Sequence, residues 1–105
     1  MNQTASTKIK RYRNAIVNEI EMPDDMKNMV IDVAVKAFKK HRIEDIVEFK
    51  SAEKVAENIR NHFRKKYGGE WCCIIGQELA YYVAYEKYFI SFNLGKVRIM
   101  LFKSP

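Results

Sequence analysis

The side chains best suited to chemistry in this sequence are two adjacent cysteines, Cys72 and Cys73, and two histidines, His41 and His62. A catalytic nucleophile needs a base and an orienting group beside it, and these histidines are distant in sequence from the cysteines. Adjacent residues of a strand point to opposite faces, so the two thiols are poorly placed to bind one metal ion. A Cys/His nucleophile pair is the weaker alternative. The sequence therefore predicts no enzyme, no metal site and no cofactor.

The cysteines also bear on the cellular compartment. A disulfide framework needs cysteines spread along the chain, and these two are neighbours. The first residues are polar and basic rather than apolar, and no run approaches the roughly 18 apolar residues of a membrane span. We expect an intracellular protein of a reducing compartment, with no membrane partner.

Length and charge limit the number of domains and the kinds of partner. The chain has 105 residues, 19 Lys+Arg and 13 Asp+Glu, for a formal net charge of +6. That length is typical of one domain, and the basic balance favours an acidic partner: nucleic acid, a membrane surface or an acidic protein. Residues 1–14 carry four of the cations and no acid. We predict a basic flexible N-terminal arm over residues 1–14 and one folded domain over residues 15–105.

Two helices are predicted in the first part of this domain. Pro23, Asp24 and Asp25 suit a helix start, and apolar residues then recur at helical spacing until about His41. A second amphipathic helix is expected from an N-cap at Ser51 to residue 67, where two glycines stop it.

The rest of the domain has the residue pattern of β-strands. A short strand is expected at residues 15–18, before the helices, and further strands at residues 71–75, 79–85, 88–94 and 97–102. The short connections favour antiparallel pairing. The predicted class is α+β, with two helices packed on an antiparallel sheet.

Nucleic-acid binding is the main alternative from another class. Single-strand binders combine a basic groove with aromatic stacking platforms. The sheet region is rich in tyrosine, but it carries few cations, because the lysines and arginines lie in the arm and the helices. A small basic nucleic-acid-binding domain is therefore the second hypothesis, and the sequence does not favour nucleic acid as a partner.

Several separated motifs in the C-terminal part agree in order and spacing with one family. They are Lys65-Lys66-Tyr67-Gly68-Gly69-Glu70-Trp71, Cys73-Ile74-Ile75-Gly76, Tyr82-Val83, Glu86, Phe89-Ile90, Phe92, Leu94-Gly95 and Leu101-Phe102-Lys103-Ser104. This pattern resembles the eight-kilodalton dynein light chain family (types 1 and 2). The run Met22-Pro23-Asp24-Asp25-Met26 is similar to the opening of that family's first helix.

The resemblance implies a two-fold dimer in which one strand of each subunit crosses to the partner's sheet. The outer edge of that exchanged strand binds extended client peptides as an additional strand. The peptide groove would comprise Leu79, Ala80, Tyr81, Tyr82, Val83 and Ala84, with Phe89, Ser91, Asn93, Glu53 and Lys54 beside it. The dimer contacts would come from Cys72, Tyr81, Tyr82 and Asn61.

Departures from the family pattern affect both sites. Cys72 stands where the family commonly has a histidine whose protonation loosens the dimer, so we expect this dimer to resist mild acid. Ala80, Tyr81 and Ala84 replace small residues and a threonine of the groove, and Tyr85 replaces a histidine. A glutamine-centred client motif would be bound weakly or differently.

The family has an acidic and a basic residue at the start of its second helix. Glu53 and Lys54 correspond to this pair only approximately, in shifted order. Residues 42–50 form a longer connection than usual, and the turn at residues 86–89 is shorter. These departures are typical of a paralogue specialised for one partner.

The resemblance therefore predicts a non-catalytic light chain of a dynein motor complex that dimerises, with itself or with another light chain, and binds dynein intermediate chains. We expect it in the cytoplasm and cytoskeleton, as an axonemal subunit of a cilium or flagellum. The basic arm would dock on an acidic protein neighbour.

Overall fold

A computed structural model describes residues 15–43, 48–77, 85 and 87–105. Its elements, in chain order, are β1 (Ile16–Glu21), α1 (Asp24–His41), α2 (Phe49–Tyr67), β2 (Trp71–Gly76), β3 (Phe89–Leu94) and β4 (Val97–Lys103). The four strands form one antiparallel sheet in the order β1-β3-β4-β2. Two helices packed on an antiparallel sheet confirm the predicted α+β class.

Helix α1 begins and ends as its sequence predicts. Pro23 is its N-cap, and the Pro23 carbonyl accepts a hydrogen bond from the Lys27 N–H at 3.0 Å. Asp24 and Asp25 in the first turn complement the positive end of the helix dipole. Arg42 ends the helix in the left-handed region, with φ of 55°.

Helix α2 begins earlier than its sequence predicts. The Ala52 N–H donates to the carbonyl of Glu48 at 2.9 Å, so Glu48 is the N-cap and Ser51 lies inside the first turn. The predicted cap at Ser51 was wrong because a serine suits the first turn as well as the cap, and neither Phe49 nor Lys50 interrupts a helix. Gly68, with φ of 70°, ends the helix as expected.

Strand β1 extends further than the predicted residues 15–18. Its pairing with β3 continues to Glu21 opposite Phe89, with an irregularity between Val17 and Glu19. Pairing along β3 therefore extends a strand whose isolated sequence shows only a short apolar run. The predicted strands at residues 71–75, 88–94 and 97–102 are confirmed to within one residue at each end. The predicted strand at residues 79–85 lies outside the described residues, except for Tyr85.

One face of the sheet packs against both helices to form the main core. Alternate strand residues supply it: Trp71, Ile90, Phe92, Leu94, Val97, Ile99 and Leu101. Phe63 of α2 is fully buried there, and its ring lies 5.3 Å from Tyr67 and 5.0 Å from Trp71 between centroids. The Trp71 indole N–H donates to the Gly68 carbonyl at 2.8 Å, which ties the start of β2 to the end of α2.

Candidate functional site

The face of the sheet that points away from the helices, here called the second face, is also apolar. Phe89, Met100 and Phe102 form a buried cluster on it, and Cys72 and Ile74 pack against this cluster. Antiparallel sheets commonly place polar side chains on the face opposite the helices. The three cluster residues are already buried in the single chain, whereas Cys72 and Ile74 remain partly exposed, so this face is the candidate functional site.

Strand pairing sets the geometry of the second face. Cys72 lies opposite Phe102, Phe102 lies opposite Phe89, and Phe89 lies opposite Glu21. Tyr85 stacks on Phe89 with ring centroids 4.9 Å apart, and its hydroxyl donates to the Glu21 carboxylate. That hydrogen bond to a carboxylate raises the pKa of Tyr85, so its hydroxyl keeps its proton well into the alkaline range. One row of side chains thus crosses all four strands.

The next row contains an unusual polar group. Ser91 lies between Glu19 of β1 and Met100 of β4, and its side chain is fully buried. Among the residues that the structure describes, its hydroxyl oxygen has no hydrogen-bond partner. A buried hydroxyl without a partner costs about 1–3 kcal/mol. Since Ser91 is fully buried within the single chain, this cost falls on the folded subunit itself.

Asn93 supplies the third row. Its side-chain oxygen accepts hydrogen bonds from the Asn18 amide at 2.7 Å and from Arg98 Nε at 3.4 Å. Both partners belong to neighbouring strands, so Asn93 joins β1, β3 and β4 at the polar end of the second face. Sequence analysis did not find this network, although the alternation of Arg98, Met100 and Phe102 along β4 was a usable signal of a mixed second face.

The structure brings together only some of the residues that the sequence assigned to sites. Phe89, Ser91, Asn93 and Cys72 lie on the second face. Glu53, Lys54 and Asn61 lie on the exposed surface of α2. Residues 79–84, which include both dimer-contact tyrosines, lie outside the described residues. The assignments to groove and dimer interface therefore stay predictions.

The two free cysteines face opposite sides of the sheet. Cys73 packs against the main core and Cys72 against the cluster on the second face. Burial, with a smaller contribution from Cys72, raises the pKa of the Cys73 thiol to about 12. The prediction that one cysteine packs in the core is confirmed.

This difference between the thiols predicts their reactivity. In the Cys72→Ser variant at about pH 8, we expect Cys73 to react with iodoacetamide roughly a thousandfold more slowly than an unperturbed thiol, because little thiolate is present. The rate can be followed by mass spectrometry of the intact protein. Labelling of Cys73 at the rate of a free cysteine in the same buffer would contradict the packing of this thiol against the main core.

The described residues lack both a cluster of metal-binding side chains and a long apolar helix. They contain no group of three or more His, Cys, Asp or Glu side chains placed to hold a metal ion. No helix among them has the length and apolar character needed to cross a membrane.

Comparison with protein families identifies the family to which this fold belongs. The sequence model of the family described as dynein light chain type 1 matches residues 14–104, nearly the whole chain. The chain belongs to the dynein light chain family. Its match begins one residue before the predicted domain boundary.

Solved structures agree on the fold of this dynein light chain domain. The dynein light chain-like domain of the Fasciola hepatica calcium binding protein FhCaBP2 superposes with a TM-score of 0.71 at 19% identity, covering 87% of this chain and 92% of that one. A native crystal form of that domain gives a TM-score of 0.72 at 19% identity, with 87% and 91% covered.

A third structure extends the comparison. The dynein light chain-like domain of CsTAL3 gives a TM-score of 0.69 at 12% identity, covering 85% of this chain and 90% of that domain. At these identities the likeness establishes the fold alone. Dynein light chains are generally non-catalytic, and the family membership supports a light-chain role for this domain.

Proposed function

We propose that this dynein light chain is a non-catalytic subunit of a dynein motor complex. It forms a dimer, with an identical or related light chain, and binds extended segments of dynein intermediate chains by strand addition. The observation that carries this proposal is the match of residues 14–104 to the dynein light chain family, and it is supported by Cys72 and Ile74, which stay partly exposed on the second face of the single chain. A second subunit that packed on this face would bury the exposed parts of Cys72 and Ile74.

The order of strands supports exchange between subunits. Strand β2 lies at one edge of the sheet, and the chain continues from it into residues 79–84 before it returns as β3. An edge strand presents unpaired backbone groups that another strand can pair with. Exchange of residues 79–84 would cover the β2 edge of the partner and leave a new edge for a client.

The proposed dimer has two equivalent client grooves. Two clients held side by side on one dimer would themselves be brought together, because the second binding event occurs at an effective concentration in the millimolar range when the tethers are short. A light chain of this kind would act by joining two intermediate chains. Departures from the family pattern near the groove, such as Ala84 and Tyr85, support a specialised axonemal subunit of a cilium or flagellum.

A capture experiment tests the proposed client. The tagged chain would be used to isolate its complex from ciliated cells, and the bound proteins would be identified by mass spectrometry. We expect dynein intermediate chains to be retained when the salt concentration rises from about 0.1 M to about 0.5 M, because strand addition depends weakly on screening. Recovery of nucleic acid that is lost steeply over this range would favour the second hypothesis.

Paired proline variants separate dimerisation from client binding. Successive N–H groups of a strand point to opposite edges, so Tyr82→Pro and Val83→Pro remove donors from different edges. We expect one variant to lose the intermediate chain and keep the dimer, while the other weakens the dimer itself. Equal loss, or no loss, of both properties in the two variants would overturn strand addition at residues 79–84.

A further inference from the structure

The opposite edge of the sheet offers a second surface that the proposed function does not use. Among the strands that the structure describes, β1 is the edge strand at that end, and all six of its residues are exposed. Ile16 is 63% exposed, Val17 37% and Ile20 39%, so three of the exposed large apolar side chains lie on this strand. An edge that presents apolar side chains and backbone groups is a template for strand pairing.

A groove runs beside this edge. It has a volume of about 690 Å³ and lies between β1 and one side of α1. Ala15 and Val17 line it from the strand side, and Asp25, Met29 and Asp32 line it from the helix. A strand added to β1 would lie about 4.8 Å from it and would turn every second side chain toward these helix residues.

The charge of the groove differs from that of the whole chain. Its charged lining residues are Asp25, Asp32 and Lys27, and Asp32 also forms an ion pair with Lys36 at 3.0 Å, whereas the chain as a whole carries a net charge of +6. Asp25 and Asp32 both line the groove and are separated by two helical turns, about 10 Å. Lysines at alternate positions of an added strand recur every 6.7 Å or so, so their long side chains can reach Asp25 and can share Asp32 with Lys36.

We propose that the β1 edge and this groove bind an extended basic segment of a partner protein, with lysine or arginine alternating with apolar residues. The backbone would pair with β1. The apolar side chains would contact Ile16 on the second face, and the cations would lie against Asp25 and Asp32. This site is distinct from the client groove proposed at residues 79–84, and it would let one light chain contact two neighbours at once.

The test uses a designed ten-residue peptide in which lysine alternates with valine and threonine, with the full chain labelled for NMR. We expect binding to shift the backbone amide signals of residues 16–21. Its affinity should fall about fivefold when salt rises from about 50 mM to about 300 mM. A peptide with glutamate in place of lysine should bind at least tenfold more weakly. Shifts confined to residues 78–85 would place the peptide in the client groove and overturn this proposal alone.

Two double variants separate local from general electrostatics. Asp25→Asn with Asp32→Asn should weaken peptide binding at least fivefold. Glu48→Gln with Glu57→Gln makes the same change in net charge at exposed sites on α2, and it should leave the affinity unchanged. Equal effects of the two pairs would overturn the proposed site. Peptide binding that appears only after removal of residues 1–13 would also overturn it, because this result would mean that the basic arm occupies the groove in the intact chain.

Discussion

The proposed dimer of the native chain is expected to persist at about pH 5.5, whereas that of the Cys72→His variant is expected to dissociate there. Cys72 packs on the second face beside Phe102, where a partner subunit would bury it. Burial disfavours a charged imidazolium, so a histidine here would have a lower pKa in the dimer than its usual value near 6.5. Its cost is absent at neutral pH and grows as the pH falls below the pKa of the monomer.

The expected size of this effect makes it measurable by sedimentation. If dimer formation lowers the pKa of the introduced histidine by about one to two pH units, each subunit weakens the dimer by about tenfold to a hundredfold at low pH. Cys72→Asn is the matched control, since it is polar but does not titrate in this range, and its dimer should show no acid loss. Dissociation of the native chain near pH 6 would mean that another group controls the dimer.

Replacement of Phe63 by alanine is expected to lower the free energy of unfolding by about 3–5 kcal/mol. Phe63 is fully buried and contacts the rings of Tyr67 and Trp71, so the variant loses aromatic contacts and leaves a cavity between α2 and β2. A loss of this size would remove much of the stability of a small domain. Urea unfolding followed by tryptophan fluorescence measures it, because Trp71 is the sole tryptophan.

Phe49 provides the control on the same helix. Its side chain is 78% exposed, so Phe49→Ala should change the free energy of unfolding by less than about 0.5 kcal/mol. Similar losses in the two variants would show that the packing of Phe63 against Tyr67 and Trp71 is not what holds α2 on the sheet.

The elements of this fold were predictable where local signals agree with the final packing. Pro23 and the two aspartates define the start of α1, and the glycines at 68 and 69 define the end of α2, because both signals act within one helical turn. The start of α2 was missed by three residues, because Ser51 satisfies the rules for a cap and for a first turn equally well. Strand β1 was predicted too short because its last residues are held by β3, which lies about 70 residues further along the chain.

The candidate site was less predictable from sequence than the fold. Alternation in β3 indicated that Phe89, Ser91 and Asn93 share a face. It could not show that Tyr85 stacks on Phe89 and bonds Glu21, because this contact joins residues that are 64 positions apart. The spacing of the motifs, in contrast, indicated the family directly. Trp71 and Gly76 are the first and last residues of β2, and the terminal motif that begins at Leu101 lies at the end of β4, its partner strand.

Hydrogen exchange of the backbone amides at residues 79–84 tests the central claim most directly. The native chain would be compared with and without a synthetic segment of the intermediate chain recovered with it. We predict that alternate amides of residues 79–84 gain protection of at least tenfold on addition of the segment, as expected for one edge of a strand that pairs with a client. Binding without any change in exchange at these residues would contradict strand addition.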